Sequence, residues 1–126
     1  MQRRAINAAE APPAIGYARA VEVSGARRTL HVSGQIPVDA EGRCPDSFDA
    51  QCRLAWRNVI AQLTAADMSL ADLVKVTIYL ADRRYGLANR AIRKEMLGEH
   101  LVASTVIVTG IFDESWLVEI EAVAVA

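Results

Sequence analysis

A regular apolar stripe between Phe48 and Met68 is the feature that most constrains how this chain can fold. Apolar residues recur there at intervals of three and four, at Phe48, Cys52, Ala55, Trp56, Val59, Ile60, Leu63 and Ala66. Such spacing places them on one side of an α-helix, and that side must be buried. Asp46 or Ser47 can accept hydrogen bonds from the free amides of the first turn. The sequence therefore predicts a long amphipathic helix over residues 48–68, with Trp56 in the core.

Short segments rich in β-forming residues surround this helix. Strands are predicted for residues 17–23, 29–36, 73–81, 104–111 and 116–125, with a hairpin turn at residues 24–28. Before them, Pro12 and Pro13 predict an irregular lead-in, because each proline disfavours helix in the residue before it. A second helix is predicted for residues 84–99, which are rich in helix formers. This order predicts one α+β domain over residues 1–126, with a mixed sheet of about six strands and two helices on one face.

Two helices can cover only one face of such a sheet. In the last predicted strand, Glu119 and Glu121 point to the other face together with Leu117 and Val123. Further apolar or aromatic residues are expected on the same face, at Val21, Val23 and Tyr79. A large exposed apolar surface is typical of an interface. The sequence therefore predicts that another copy of the chain covers part of this face.

Composition disfavours several kinds of partner. Hydrophobic residues make up 52% of the 126 residues and charged residues 23%, as in globular proteins, and the net charge is −1. The arginine pairs are scattered, so no basic patch for nucleic acid is predicted, and no apolar run is long enough to cross a membrane. Cys44 and Cys52 are too far apart for a redox motif and no signal peptide precedes them, so a cytoplasmic location is expected. His31 and His100 are the only histidines, and the sequence predicts neither a metal site nor a cofactor.

Four stretches, taken in chain order, carry a family resemblance. They are Ala-Ile-Gly-Tyr at 14–17, Ser-Gly-Gln-Ile-Pro at 33–37, Val-Lys-Val-Thr-Ile-Tyr-Leu at 74–80 and Val-Glu-Ile-Glu-Ala-Val-Ala at 118–124. Together they run through nearly the whole chain, and the second and fourth are distinctive as a pair. On these residues the chain resembles the Rid family, the YjgF-like imine and enamine deaminases. The resemblance implies a chorismate-mutase-like fold, a homotrimer, and ligand pockets in the clefts between subunits.

Ser104 is where the sequence departs from the family pattern. Active Rid deaminases have an arginine at the start of the corresponding strand, where its guanidinium grips the carboxylate of a 2-imino or 2-amino-enoic acid. Serine cannot supply that charge. The family glutamate that positions the attacking water falls on Glu119, and the family tyrosine falls on Tyr17. Without the resemblance, the sequence favours a solvent-facing Glu119 on a half-exposed strand and a packed aromatic residue at Tyr17.

Other positions of the family's pocket align with residues that are retained or altered. Ser33 and Gly34 match a pocket-lining serine and glycine, whereas Val106 stands in place of a small cysteine. Arg90 aligns with an asparagine of the second helix. It could supply the missing contact to an anion from another direction, or it could be one helix-surface arginine among Arg83, Arg84 and Arg93.

The sequence supports two classes of function for the expected trimer and its small-molecule ligand. The first is an enzyme acting on an imine, enamine or related reactive carbonyl compound other than a simple 2-imino acid. In that enzyme Glu119 and Tyr17 are catalytic, and substrate is bound by Ser33, Gly34, Arg90, Ser104 and Val106. The second class is a non-catalytic metabolite-binding protein. Endoribonuclease activity, attached to some relatives of the family, is the least favoured, because the chain has neither a basic patch nor a histidine pair for acid and base.

Overall fold

The computed structural model describes residues 1–126 and contains two α-helices and six strands. The helices are α1 (Phe48–Ala65) and α2 (Gly86–Leu97). The strands are β1 (Gln2–Ile6), β2 (Ala20–Ser24), β3 (Thr29–Gln35), β4 (Leu73–Leu80), β5 (Ala103–Val108) and β6 (Val118–Val125). The α+β class predicted from the sequence is confirmed. The six strands are divided between two sheets, which the sequence did not indicate.

The larger sheet is mixed and has four strands in the order β3-β6-β4-β5. The β4 and β5 strands are parallel, and α2 connects them, whereas β6 is antiparallel to both of its neighbours. One face of this sheet packs against both helices and forms the hydrophobic core. The opposite face has no covering layer within the chain, and we call it the open face. Its central residues include Lys75, Thr77, Tyr79, Glu119 and Glu121.

The α1 helix forms the middle of the core. Ser47 caps it, because the Ser47 side chain accepts a hydrogen bond from the Ala50 amide at 3.2 Å. Trp56 is fully buried, as the apolar stripe predicts. The helix ends at Ala65, three residues before the predicted end, because Asp67 adopts a positive φ of 55° and the Met68 amide turns back to the Leu63 carbonyl at 2.8 Å. Neither helix is long and apolar enough to span a membrane.

The N-terminal part of the chain differs from the prediction. Residues 2–6 form a strand, antiparallel to β2, where an irregular lead-in was expected. Arg3 holds this strand to the large sheet, because its guanidinium donates to the Val125 carbonyl at 2.8 Å and to Asp72 at 3.1 Å. These contacts are distant in sequence, so the local pattern around residues 2–6 gives no sign of them.

The predicted hairpin at residues 24–28 is also wrong. The amides of Arg27 and Arg28 each donate to the Ala126 carbonyl at 2.8 Å, which turns the chain away from β2 and places β3 beside β6. As a result, Val21 and Val23 belong to the small sheet and not to the open face. The β2 strand begins at Ala20, three residues after the predicted start.

Candidate functional site

A groove of about 610 Å³ lies between α2 and β5, and we call it the α2–β5 groove. It contains four of the seven residues that the sequence predicts for the site. The residues that line it are Pro13, Ile15, Tyr17, Arg83, Gly86, Leu87, Asn89, Arg90, Arg93, Ser104 and Val106. The predicted residues among them come from three separate segments of the chain, and the fold brings them to one place.

The register of β5 places Ser104 and Val106 in this groove. Ser104 pairs with Val76 and Val106 pairs with Ile78 on the parallel strand β4. Val76 and Ile78 are fully buried beneath the helices, so Ser104 and Val106 point to the helix side of the sheet as well. Because β5 is an edge strand, these two side chains reach beyond the core to the groove. The Ser104 hydroxyl oxygen is buried and has no hydrogen-bond partner.

Tyr17 is fixed beside β5 by the residue that follows it. The Ala18 amide donates to the Val102 carbonyl at 2.9 Å, and Ala18 forms a parallel bridge to Ala103. This short pairing covers the outer edge of β5 and sets the Tyr17 ring in the groove wall. The Arg93 guanidinium lies 5.7 Å from the ring centroid, within the range of a cation–π contact.

Two residues of α2 complete the groove, and sequence reasoning did not select them. Asn89 is only 2% exposed and its side-chain oxygen has no partner. Arg93 is 7% exposed and forms neither a salt bridge nor a hydrogen bond, and burial together with the nearby Arg90 lowers its pKa. Asn89 and Arg93 are four residues apart and therefore lie on one helix face, but this spacing alone does not show that the face is buried. Arg90, which the sequence did select, is exposed at the rim.

The other three predicted residues, Glu119, Ser33 and Gly34, lie together on the β6 and β3 strands. Glu119 pairs with Tyr79 across β4 and therefore points to the open face. The β3 strand has a bulge between Val32 and Gln35, which places Ser33 and Gly34 beside β6. A Cβ atom on Gly34 would overlap the Glu119 carboxylate oxygen and lie 2.9 Å from its carboxyl carbon. The glutamate therefore occupies space that only glycine leaves free.

The second acid of β6 already has a partner on the open face. The Tyr79 hydroxyl donates to Glu121 at 2.7 Å, and this hydrogen bond to the carboxylate raises the pKa of Tyr79. Glu119 makes no hydrogen bond within the chain. Of the two acids, Glu119 is therefore the one free to contact a ligand.

Comparison with known proteins agrees with this architecture. Residues 8–126 match the family described as Endoribonuclease L-PSP. The chain belongs to this family. It is the family also known as Rid or YjgF-like, and the resemblance found in the sequence is confirmed.

Relatives of known name or structure extend over most of the chain. The 2-iminobutanoate/2-iminopropanoate deaminase of Capra hircus is 34% identical over 126 residues, covering 98% of this chain and 90% of the relative. A RutC family protein of Pyrococcus horikoshii is 33% identical, covering 90% of each chain. Among solved structures, the Rid protein YyfB of Yersinia pestis is similar with a TM-score of 0.87 at 28% identity, covering 100% of both chains. The E. coli protein TdcF with bound serine is similar with a TM-score of 0.74 at 30% identity, covering 98% of both.

Within one chain of this Rid protein, the predicted site is divided in two. Ser104 shares a sheet face with Ile78, whereas Glu119 shares the opposite face with Tyr79. Four strands of hydrogen-bonded backbone lie in the plane between the two faces. A ligand in the α2–β5 groove therefore cannot contact Glu119 of the same chain.

Proposed function

We propose that this Rid family chain is an enzyme that hydrolyses an imine, an enamine or a related reactive carbonyl compound. The observation that carries the proposal is the α2–β5 groove, which gathers Tyr17, Arg90 and Ser104 around buried polar atoms that have no partner in the protein. Buried polar atoms without partners are rare in proteins, and a hydrogen bond to a ligand is one explanation for them. A relative that aligns along nearly the full chain is named as a 2-imino acid deaminase, which supports the same type of reaction.

The proposed active site forms between two copies of the chain in a homotrimer. The groove of one copy supplies Tyr17 and Ser104, and the open face of the next supplies Glu119, with Ser33 and Gly34 beside it. Two observations support this arrangement. Ser104 and Glu119 face opposite sides of the sheet, and apolar side chains on or beside the open face are left exposed, with Ile107 at 42% and Phe112 at 96%.

In this reaction Glu119 acts as the base. Its carboxylate accepts a proton from water while the water oxygen adds to the imine carbon. The proton then passes to nitrogen, which gives a carbinolamine. As the carbon–nitrogen bond breaks, the carbinolamine hydroxyl loses its proton and nitrogen gains one, so the products are a carbonyl compound and ammonia. Tyr17 and Ser104 can donate hydrogen bonds to the substrate, but neither has a histidine partner that would make it a nucleophile.

The substrate differs from that of the arginine-containing deaminases. Losing a bidentate contact between arginine and a carboxylate costs on the order of a few kcal/mol, which lowers turnover roughly a hundredfold or more. Ser104 supplies no such contact. We therefore expect slow turnover of simple 2-imino acids with one carboxylate.

The test uses imines that an amino acid oxidase generates from amino acids in the cuvette, with semicarbazide present to trap imine that has not been hydrolysed. We expect wild-type protein to accelerate the loss of at least one imine, Glu119→Gln to abolish the effect, and Glu114→Gln, in the exposed turn before β6, to retain it. Absence of acceleration with every imine would overturn the hydrolase proposal. A rate on the alanine-derived imine equal to that of an arginine-containing relative would overturn the altered substrate alone.

The alternative is a non-catalytic metabolite-binding protein, for which the α2–β5 groove is sufficient without Glu119. In that case Glu119→Gln leaves function intact, whereas Ser104→Phe, which fills the groove, abolishes ligand binding. Cleavage of RNA is less well supported, because His100 is held by the Leu73 carbonyl at 2.8 Å and the net charge of the chain is −1.

A further inference from the structure

The α2–β5 groove is strongly cationic. Three arginines line it, Arg83, Arg90 and Arg93, and no aspartate or glutamate of the same chain does. None of the three forms a salt bridge or donates a side-chain hydrogen bond within the chain. By contrast, the adjacent Arg84 donates to the Tyr85 hydroxyl at 3.1 Å and lies 4.0 Å from Asp82. The arginine that faces away from the groove is paired, and those that face it are not.

Arg93 is the most informative of the three. Its side chain is buried, and burying a charge without a partner is unfavourable unless something compensates it. Arg90 lies three residues earlier on the same helix, so the second positive charge is a neighbour of the first. Burial and this neighbour both disfavour the charged form of Arg93 and lower its pKa. A ligand with one negative charge compensates only one of these cations.

The uncharged residues of the groove offer hydrogen bonds and apolar surface to the rest of a ligand. The Ser104 hydroxyl can donate to an anion, and the unpartnered Asn89 oxygen can accept a hydrogen bond from an N–H group. Ile15, Leu87 and Val106 are 80%, 78% and 43% exposed and offer apolar surface to a short carbon chain.

We infer that the α2–β5 groove binds a small molecule with two anionic groups, one held by Arg93 with Ser104 and the other by Arg90 with Arg83. This inference rests on the groove being the ligand site of the proposed function, and it names the class of substrate: an imine or enamine that carries two carboxylates, or one carboxylate and one phosphate or phosphonate. The three arginines of the groove thus replace the single family arginine and select a more highly charged ligand.

Calorimetric titration of the purified protein with butanoate, glutarate and 3-phosphonopropanoate tests the inference without any chemical step. We expect the two doubly charged probes to bind at least about tenfold more tightly than butanoate at low ionic strength, and added salt to reduce this difference. Tighter binding of glutarate assigns the second group as a carboxylate, and tighter binding of 3-phosphonopropanoate assigns it as a phosphate-like group.

Variants at exposed positions keep the test independent of folding. Arg90→Gln and Arg83→Gln should each remove most of the preference for the doubly charged probes, because their affinity should fall toward that of butanoate. Arg57→Gln, an exposed and unpaired arginine on α1 outside the groove, is the matched control and should have no effect. Equal affinity for all three probes, or an unchanged preference in Arg90→Gln, would overturn the inference.

The result is separable from the proposed function. Glu114→Gln, in the exposed turn before β6, should bind glutarate or 3-phosphonopropanoate as wild type does, since Glu114 lies outside both parts of the proposed site. Binding with the expected preference but no hydrolysis of any imine leaves the inference standing and overturns the enzymatic proposal. Hydrolysis of imines with no preference for a second anionic group supports the enzymatic proposal and overturns the inference.

Discussion

Gly34, a residue with no side chain, leaves the space on the open face that the Glu119 carboxylate occupies. The carboxylate of Glu119 lies where a Cβ atom on residue 34 would be, and Gly34 does not need its glycine for the backbone, because its φ is not in the left-handed region. The requirement for glycine therefore comes from the neighbouring side chain. A residue that looks like a structural glycine in the sequence is in this way part of the candidate site.

Gly34→Ala should leave the fold intact and displace Glu119. The far end of a glutamate side chain can rotate away, so we expect unfolding temperature to change little while imine hydrolysis falls at least about tenfold. Gly110→Ala is the matched control, because a Cβ atom there would meet no atom within 4 Å, and it should keep the wild-type rate of hydrolysis. An equal loss of hydrolysis in both variants would show that Gly34→Ala does not act through the Glu119 carboxylate.

Arg93 gives a second prediction at the scale of one residue. Because the Arg93 side chain is largely buried and its guanidinium has no anionic partner, replacing it with methionine, which has a similar apolar stem, removes an unfavourable burial along with the contact to Tyr17. We expect the free energy of unfolding of Arg93→Met, measured by urea denaturation, to fall by no more than about 1 kcal/mol or to rise. Ligand binding in the groove should be lost. A loss of stability of several kcal/mol would mean that Arg93 has a partner in the assembled protein.

At the scale of elements, Gln51 connects α1 to the start of β6. It is 1% exposed, its side-chain amide donates to the carbonyls of Pro45 and Ser115 at 2.9 Å each, and its oxygen accepts from the Leu117 amide at 2.8 Å. These three bonds fix the loop that leads to Glu119, two residues beyond Leu117. The helix therefore helps to hold the strand that carries the candidate base.

Gln51→Leu keeps the size of the side chain but leaves two carbonyls and one amide without partners. Each buried polar group left unsatisfied costs about 1 kcal/mol or more, so we expect a loss of about 3 kcal/mol in the free energy of unfolding. The same substitution at Gln62, which is exposed on the same helix, should change stability by less than about 0.5 kcal/mol. If the two variants lose similar amounts, the Gln51 hydrogen bonds do not hold this loop.

The elements that the sequence could predict are those whose signal is local. The apolar stripe of α1 and the alternation of β6 depend on periodicity within one segment, and both are found in the structure. The β1 strand and the turn into β3 are held by contacts of Arg3 and Arg27 with the C-terminal end of the chain, so no local pattern predicts them. Arg93 was missed for a related reason: its importance comes from burial and the lack of a partner, which only the folded chain reveals.

At the scale of the whole molecule, the division of the site between two sheet faces decides how it can work. Sequence alignment with the family could select Ser104 and Glu119, but it could not show that one lies on the helix side and the other on the open side. The parallel register of β5 against β4 and the antiparallel register of β6 against β4 fix this result. If both residues act on one substrate, two copies of the chain must contribute to each active site.

Mixed assemblies test this requirement directly. Glu119→Gln, which lacks the base, and Arg93→Met, which lacks an anion-binding arginine of the groove, should each be inactive alone. When the two variants are co-expressed and assemble at random, about a quarter of the sites pair an intact groove with an intact Glu119 from the neighbouring chain. We therefore expect imine hydrolysis to recover to about a quarter of the wild-type rate per chain, in a species whose mass by light scattering corresponds to three chains. If the site were complete within one chain, every copy would carry a defect and no activity would return. The rate of hydrolysis in the mixture therefore distinguishes a trimer whose active sites are shared between chains from a trimer in which each chain has a complete active site.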